Sequence, residues 1–385
     1  MKKVSVISVL CMGLMLLSCG RQPAENRLGK QLYTLQDLPH KIFALDDSTT
    51  QVLDYIHTFE EGDSLLLASY NKPMNNICIF DVKSGKEIRK LQFQKEGPNA
   101  LGKNVFGFLY HNKDSIYVYH TWTWQLDLFN GKGEVLSKYH LLELPQQPKG
   151  KYVMPEILPQ PYAPIKKVGN KIILQGQGGM LPKPNPDKLC QAVTAILNLD
   201  DNSVYCANEY PVIYGDVDNI WQVFSYRLPS YDLSPQDEMV ISFPADDSIR
   251  VYNLQTKQTR SYFAGYSVPY EIRPARSGSM ADVTRSVYDQ VQYSCIYYDR
   301  WHGLYYRILT LPVKEDYDIN SRENLSRNLA VVILDKDFQK VGEYNVQEKS
   351  DRYAFMFVSP EGLHIQVLSD DDDYMTFMTL KPQKL

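Results

Sequence analysis

Ile77-Cys78-Ile79-Phe80-Asp81-Val82-Lys83-Ser84-Gly85-Lys86-Glu87-Ile88-Arg89-Lys90-Leu91-Gln92-Phe93 is the stretch from which the fold can be read. It is an apolar strand, a turn over Asp81–Lys86, and a second alternating strand, which together make a β-hairpin signal. The same unit recurs as Leu126–Tyr139 around Asn130-Gly131, as Ala192–Cys206 around Asp200-Asp201-Asn202, as Ile249–Phe263 around Asn253–Lys257, and as Val331–Tyr344 around Asp335-Lys336-Asp337. A short strand with a polar start precedes each copy: Gly62–Leu67, Lys113–Val118, Gly169–Leu174, Asp237–Ile241 and His302–Tyr306. A sixth of these, Glu361–Ile365, has only Tyr374–Leu380 after it before the chain stops. These lead strands start about 50 to 70 residues apart. A four-stranded propeller blade needs about 40 to 50 residues plus loops.

The repeat predicts an all-β fold, a β-propeller of six blades. Seven blades is the alternative, because Leu141–Gln236 is long enough for an extra sheet, and a two-sheet sandwich is the remaining one. The last unit lacks a hairpin partner, and an unpaired sheet edge is costly and adhesive. The surplus segments Lys41–Leu45 and Gln51–Phe59 could supply it, so the ring is expected to close on an N-terminal strand. No long segment has a 3.6-residue apolar period. Pro145–Pro164 carries six prolines and reads as an irregular connection inside one folded domain, residues 31–385.

Composition agrees with this reading. The 385 residues are 44% apolar and 22% charged, which excludes a disordered chain. A net charge of −4 gives no electrostatic case for nucleic acid. The 28 Tyr, 22 Pro and 21 Gly favour strands and turns.

The first 18 residues read as an export signal. Lys2 and Lys3 are followed by an uncharged run, Val4–Leu17, too short for a membrane span of about 20 residues. The run ends in Leu16-Leu17-Ser18-Cys19-Gly20, which resembles a bacterial lipobox. Cys19 is therefore the expected lipidation site, and several acyl chains give firm anchoring. Residues 19–30 are expected to be a flexible tether. No acidic run follows Cys19, which points to the periplasmic face of the outer membrane rather than the cell surface.

Of the remaining cysteines, Cys78 and Cys295 read as small buried strand residues. Cys190 and Cys206 flank a hairpin and could pair, although counting from its turn places Cys206 opposite about Ile196. Their spacing suits no zinc site, and neither a metal nor a cofactor is expected.

Glu96-Gly97-Pro98-Asn99, after the first full hairpin, is similar to a turn found in propeller lipoproteins of gut Bacteroidetes. Ile241-Ser242-Phe243-Pro244, Tyr297-Tyr298-Asp299-Arg300-Trp301 and Tyr305-Tyr306-Arg307 resemble the DUF4221 family in particular. The resemblance implies a propeller-like secreted lipoprotein without an assigned activity, and it transfers no catalytic residue.

The sequence holds no G-x-S-x-G, P-loop, H-E-x-x-H or dinucleotide fingerprint. The acidic run Asp370–Asp373 reads as a solvated turn, lacking the alternating ligands and glycine of a calcium loop. His120, Trp122 and Trp124 would share one face of a strand, as a ligand platform or as packing between blades. Arg227 is a candidate anion contact in the central channel, and Arg307 is either a ligand clamp or half of a structural ion pair, Asp299 being able to pair with Arg307 or Arg300. The leading functional expectation is a membrane-tethered propeller that binds a small molecule, a glycan or an envelope protein. The runner-up is a propeller enzyme, a hydrolase or lyase acting on glycans, which would require acid, base and cation converging in the channel.

Overall fold

The computed structural model describes residues 27, 29–102, 104–149, 151–178, 190–215, 224–274, 279–313, 326–350 and 352–385. The leader and Cys19 lie outside the described residues. Strand β1 (Tyr33–Ala44) opens the chain and is placed last in the topology. The first sheet pairs β2 (Ile56–Glu61), β3 (Ser64–Asn71), β4 (Asn76–Asp81) and β5 (Lys86–Gln92) in chain order. The second repeats this with β6 (Val105–Asn112), β7 (Ser115–His120), β8 (Gln125–Phe129) and β9 (Val135–His140).

In the proline-rich connection, β10 (Gln146–Gln147), β11 (Tyr152–Val153), β12 (Glu156–Ile157) and β13 (Lys166–Val168) are short strands. All four lie on the sheet of β14 (Lys171–Gln177), β15 (Cys190–Asn198) and β16 (Ser203–Glu209). The fourth sheet is β17 (Ser230–Leu233), β18 (Glu238–Ser242), β19 (Ser248–Asn253) and β20 (Thr259–Phe263). The rest form one path. It runs β21 (Gln292–Asp299), β22 (Leu304–Thr310), β23 (Leu329–Asp335) and β24 (Lys340–Asn345), then β1, and then β27 (Tyr374–Lys384), β26 (Gly362–Val367) and β25 (Met356–Ser359). Among the described residues the helical segments are a turn at Val212–Tyr214, α1 (Phe224–Arg227) and α2 (Met280–Tyr288). A Ser279/Asp282 capping box starts α2.

The quoted stretch shows why these sheets stack radially. Successive side chains on a strand point to opposite faces. In β4, Ile77 and Ile79 enter a cluster with the second sheet, through Phe108, Ile116 and Val118. Cys78 and Phe80 enter another with β27 and β25, through Met375, Phe377 and Phe357. Both faces are buried, so the strand reads as an unbroken apolar run. The other clusters join second sheet to third, third to fourth, fourth to β21–β24, and that sheet to β25–β27. Sheet-to-sheet burial thus returns from the last sheet to the first, and the fold is a β-propeller.

β1 lies antiparallel on β27 from Tyr33↔Lys384 to Ala44↔Tyr374. Its single bridge to β24, Tyr33↔Gly342, is parallel. Its end also reaches the first sheet, where Ala44 N–H donates to Gly85 O at 2.9 Å. Gly85, at φ +68°, leaves no room for a Cβ, which would stand 2.1 Å from Ile42 O. The pairing strand starts at Tyr33, earlier than the expected Lys41. Gln51–Phe59 goes elsewhere, supplying the first strand of the first sheet. The chain is already held at Arg27, inside the stretch expected to be a free tether. There the guanidinium pairs with Asp247 at 2.7 Å, stacks on Phe263, and is almost fully buried.

The EGPN turn has Gly97 in the left-handed region at φ +92°. Asn99 uses its side chain between sheets, accepting from Val135 N–H at 3.1 Å. Cys206 is a free buried thiol, so it forms no disulfide with Cys190. It stands opposite Ala195, beside the Ile196 expected from the turn, with Gln146 Nε2 at 3.1 Å. Asp371 and Asp372 bond to Asp373 N–H and the Gln51 side chain respectively.

Candidate functional site

The first strand of a sheet is an edge strand, and four such edges face a common cavity of about 310 Å³. β2 contributes Ile56–Glu60, β17 Tyr231–Leu233, β21 Tyr297 and Tyr298, and β25 Met356–Val358, while Pro161, Pro164 and Lys166 come from the third sheet's connection. On each strand the lining reaches the last or next-to-last residue, and past β21 it continues to Arg300 and Trp301, so the cavity opens at the end of the ring where those strands finish. A second cavity, of about 640 Å³, is lined by residues before or near the starts of the same strands, among them Val52, Leu228, Gln292, Ser294 and Phe355.

Tyrosines lie between the two. Tyr231 and Tyr297 line the first cavity and Tyr162 the second. Tyr55, Tyr162 and Asp232, from different sheets, are close enough to Tyr297 to raise its phenol further, beyond the main effect of burial. Tyr231 is raised in the same way, by burial first and then by Tyr55 and Asp232. Tyr231 O–H donates to Pro164 O at 2.6 Å, and Tyr55 accepts from Ile165 N–H at 3.4 Å. Tyr297, only 9% exposed, has no hydrogen-bond partner for its hydroxyl.

The charged groups of the first cavity are already matched. Asp232 pairs with Lys166, and its other oxygen accepts from Tyr298 N–H at 2.8 Å. Glu60 and Arg300 form a half-exposed ion pair at the mouth. Arg300 also lies 4.5 Å over the ring of Trp301, which remains 37% exposed. Burial, and then the charge of Lys166, lower the His57 imidazole to about 3, so it is neutral near pH 7. The cavity thus presents aromatic surface, a neutral imidazole and paired ions. In the second cavity the polar side chains turn back to the protein: Arg352 donates to Leu53 O at 3.0 Å and Gln292 to Ser225 O at 2.5 Å. Among the buried side-chain polar atoms of its described lining, Ser225 Oγ alone lacks a partner.

The residues singled out in the sequence lie elsewhere. His120, Trp122 and Trp124 do not share a strand face. β7 ends at His120, the chain turns, and Trp124 takes a left-handed φ of +52°. Trp122 is 76% exposed, and Trp124 packs at the interface of the second and third sheets. His120 is buried with Nε2 3.4 Å from Asp127 Oδ2. Arg227 closes α1 and donates to Gly178 O at 2.9 Å.

Arg307 is fully buried between the fourth sheet and β21–β24, 3.8 Å over the Tyr293 ring. It donates to Ser242 Oγ at 2.9 Å and to the carbonyls of Asp246, Asp247 and Ala264 at 2.5, 2.9 and 3.0 Å. Its guanidinium therefore fastens the loop between β18 and β19. Asp299 bonds instead with Tyr306, His302 and the amides of Trp301 and His302. Arg327, unread in the sequence, is fully buried as well, donating to Leu311 O and Gln290 O. Among the described residues no group of three His, Cys, Asp or Glu could hold a metal ion. No helix there is long and apolar enough to cross a membrane.

A family profile described as "Domain of unknown function (DUF4221)" matches residues 33–345. The chain is similar in structure to a member of that family from Bacteroides vulgatus, with 23% identity, a TM-score of 0.75, and coverage of 92% of this chain and 100% of that one. A Bacteroides fragilis structure that carries the name of an exported protein has 11% identity and a TM-score of 0.51, over 93% of this chain and 99% of its own. A β-propeller domain from Myceliophteria thermophila has 9% identity and a TM-score of 0.39, over 89% and 99%. No curated protein matches the chain.

Proposed function

The chain belongs to the DUF4221 family, and from that premise we propose that it is an exported, lipid-anchored propeller that binds a small ligand in the axial cavity at the mouth formed by Glu60, Arg300 and Trp301. The observation that carries the binding role is the convergence of edge strands from separate sheets on one cavity walled by aromatic rings, with the partly exposed Trp301 at its mouth. A concave site of that size with mostly aromatic walls and a few polar groups is the ordinary form of a small-molecule site. The acid and base groups there are paired with each other or held neutral, which favours binding over hydrolysis or elimination. In this reading the propeller has six blades. Support comes from the six clusters that pass burial from sheet to sheet, and from the β1–β27 ladder for closure by the N-terminal strand.

Anchoring rests on the lipobox. Cys19 carries the acyl chains, and the protein is held in the cell envelope on the periplasmic face of the outer membrane. Eight peptide units link Cys19 to the docked Arg27, a reach of at most about 28 Å. The rim between the fourth sheet and β21–β24 is therefore kept close to the membrane.

Two experiments test the reading. Cys19→Ala should move the protein into the soluble fraction, and undiminished membrane retention would refute lipidation there. A thermal-shift screen of soluble protein against neutral metabolites and oligosaccharides should give hits that Trp301→Ala abolishes. Hits insensitive to Trp301→Ala would place binding outside this cavity.

A further inference from the structure

We propose that the second cavity, at the end of the ring where the edge strands begin, takes an organic monoanion with a flat apolar body, its carboxylate against Arg352 and its body among the rings of Tyr162, Tyr288, Tyr353 and Phe355. This is a separate site from the first cavity, and it does not depend on that cavity holding a ligand. Charge and surface lead to it.

Arg352 is the one charged side chain among the described residues that line this cavity. Its guanidinium donates to Leu53 O at 3.0 Å and to Gln366 Oε1 at 3.5 Å, and it lies 4.5 Å over the ring of Phe355. Those contacts are with neutral groups, so they hold the guanidinium at the wall without cancelling its charge. A second cation, the fully buried Arg327, stands 4.9 Å over the ring of Tyr288, one of the lining rings. Burial raises the Tyr288 and Tyr353 phenols, and the Arg327 charge is the largest effect opposing it at both. At the first cavity the sign is reversed, since Tyr231 and Tyr297 are raised by burial and then further by the Asp232 carboxylate. The axis of the ring is therefore polarised, and its second cavity is the positive end.

The surface sets the rest of the ligand. The cavity, about 640 Å³, lies within the range of small-molecule sites, roughly 300–1,000 Å³. Four aromatic rings line it, and Val52 and Leu368, both among its lining residues, are 52% and 44% exposed. Such walls favour a flat apolar body. A carboxylate on that body gains a charge-assisted bond to the planar guanidinium, where an amide of the same shape offers only a neutral acceptor. A cation on the same body is opposed by Arg352 and Arg327 alike.

The test is a calorimetric titration of the soluble Cys19→Ala protein with three probes that share one ring system: 2-naphthoate, 2-naphthamide and 2-naphthylmethylammonium. The expected order is naphthoate about tenfold tighter than the amide, with no binding of the cation. Arg352→Gln should bring naphthoate down to the level of the amide, while Arg352→Lys keeps part of the difference. Ala354→Trp fills the cavity and leaves Arg352 in place, so it should abolish binding of both probes with the melting temperature little changed. Since Arg352 also ties down Leu53, the parent series and Ala354→Trp decide the matter by themselves if Arg352→Gln does not fold. No binding of naphthoate, equal or tighter binding of the amide or the cation, or naphthoate binding that survives Ala354→Trp would each overturn the proposal. Naphthoate binding that Trp301→Ala removes would belong to the first cavity and would overturn it too.

Discussion

Phe43 offers a quantitative handle on how the ring is joined. It is fully buried near the end of β1. Its ring meets Phe80 of the first sheet edge-on at 5.8 Å, and Phe357 and Phe377 of the β25–β27 sheet at 6.2 and 5.7 Å. Truncation to alanine removes an aromatic side chain from a packed cluster whose backbone is tied on both sides, so collapse into the void is limited. Phe→Ala changes in such cores cost about 3–5 kcal/mol. Edge-to-face partners each add about 0.5–1.5 kcal/mol beyond area burial, which places Phe43→Ala in the upper part of that range. Its neighbour Ile42 points the other way and is 50% exposed, so Ile42→Ala should stay within about 0.5 kcal/mol of the parent. Urea titration followed by tryptophan fluorescence gives both values from the midpoints, provided the slopes are shared. A loss below about 1.5 kcal/mol for Phe43→Ala, or equal losses for the two variants, would refute the wedging of β1 between the last sheet and the first.

Other consequences can be measured the same way. Arg307→Met should cost about 3–5 kcal/mol, because one buried and two half-buried carbonyls lose their donor; a variant within 1 kcal/mol of the parent would remove the fastening role. Trp122→Ala should leave both stability and ligand binding unchanged, since its side chain is largely in solvent; a loss of binding would restore the platform reading, and a loss of stability alone the packing between blades. The His57 and His364 imidazoles are both lowered to about 3 from an unfolded value near 6.5, by burial first. Between those limits the unfolded chain binds the extra protons, so stability falls on acidification from pH 6.5 towards 3, by up to about 1.4 kcal/mol per pH unit for each histidine. Denaturation midpoints that are flat from pH 7 to 4 would contradict the burial of both rings.

Much of the ring is legible in the sequence, and what is not has local causes. The second, third and fourth strands of each sheet announce themselves by a polar turn between alternating runs, as at Asp81–Lys86. The inner strands do not. β17 is only Ser-Tyr-Asp-Leu, and β6 is entered from an irregular segment, so neither carries a turn signal or a clean period. The aromatic cluster after His120 was read as a continued strand, but Trp124 has a left-handed backbone that residue type does not reveal. Arg307 was read as half of an ion pair. Its partners are carbonyls of a loop some 60 residues away, and carbonyls are present at every position, so nothing in the sequence marks them. The axial cavity was invisible for the same reason, since Tyr55, Tyr162, Tyr231 and Tyr297 converge only once the sheets are arranged around a ring. Buried His364 shows the converse. Its site is made by Ser359 and Thr379, neighbours on the same sheet, yet a histidine in a strand could equally have been a surface residue.

The ring is tested most directly at Gln36 and Lys381, which face each other across the β1–β27 ladder on exposed positions. Directly opposed strand residues fall within disulfide reach, and the described native thiols Cys78, Cys206 and Cys295 are buried. Oxidation of the Gln36→Cys/Lys381→Cys protein should give complete intramolecular cross-linking and a higher melting temperature. Free thiols after oxidation, or cross-links only between molecules, would mean that the N-terminal strand does not close the propeller.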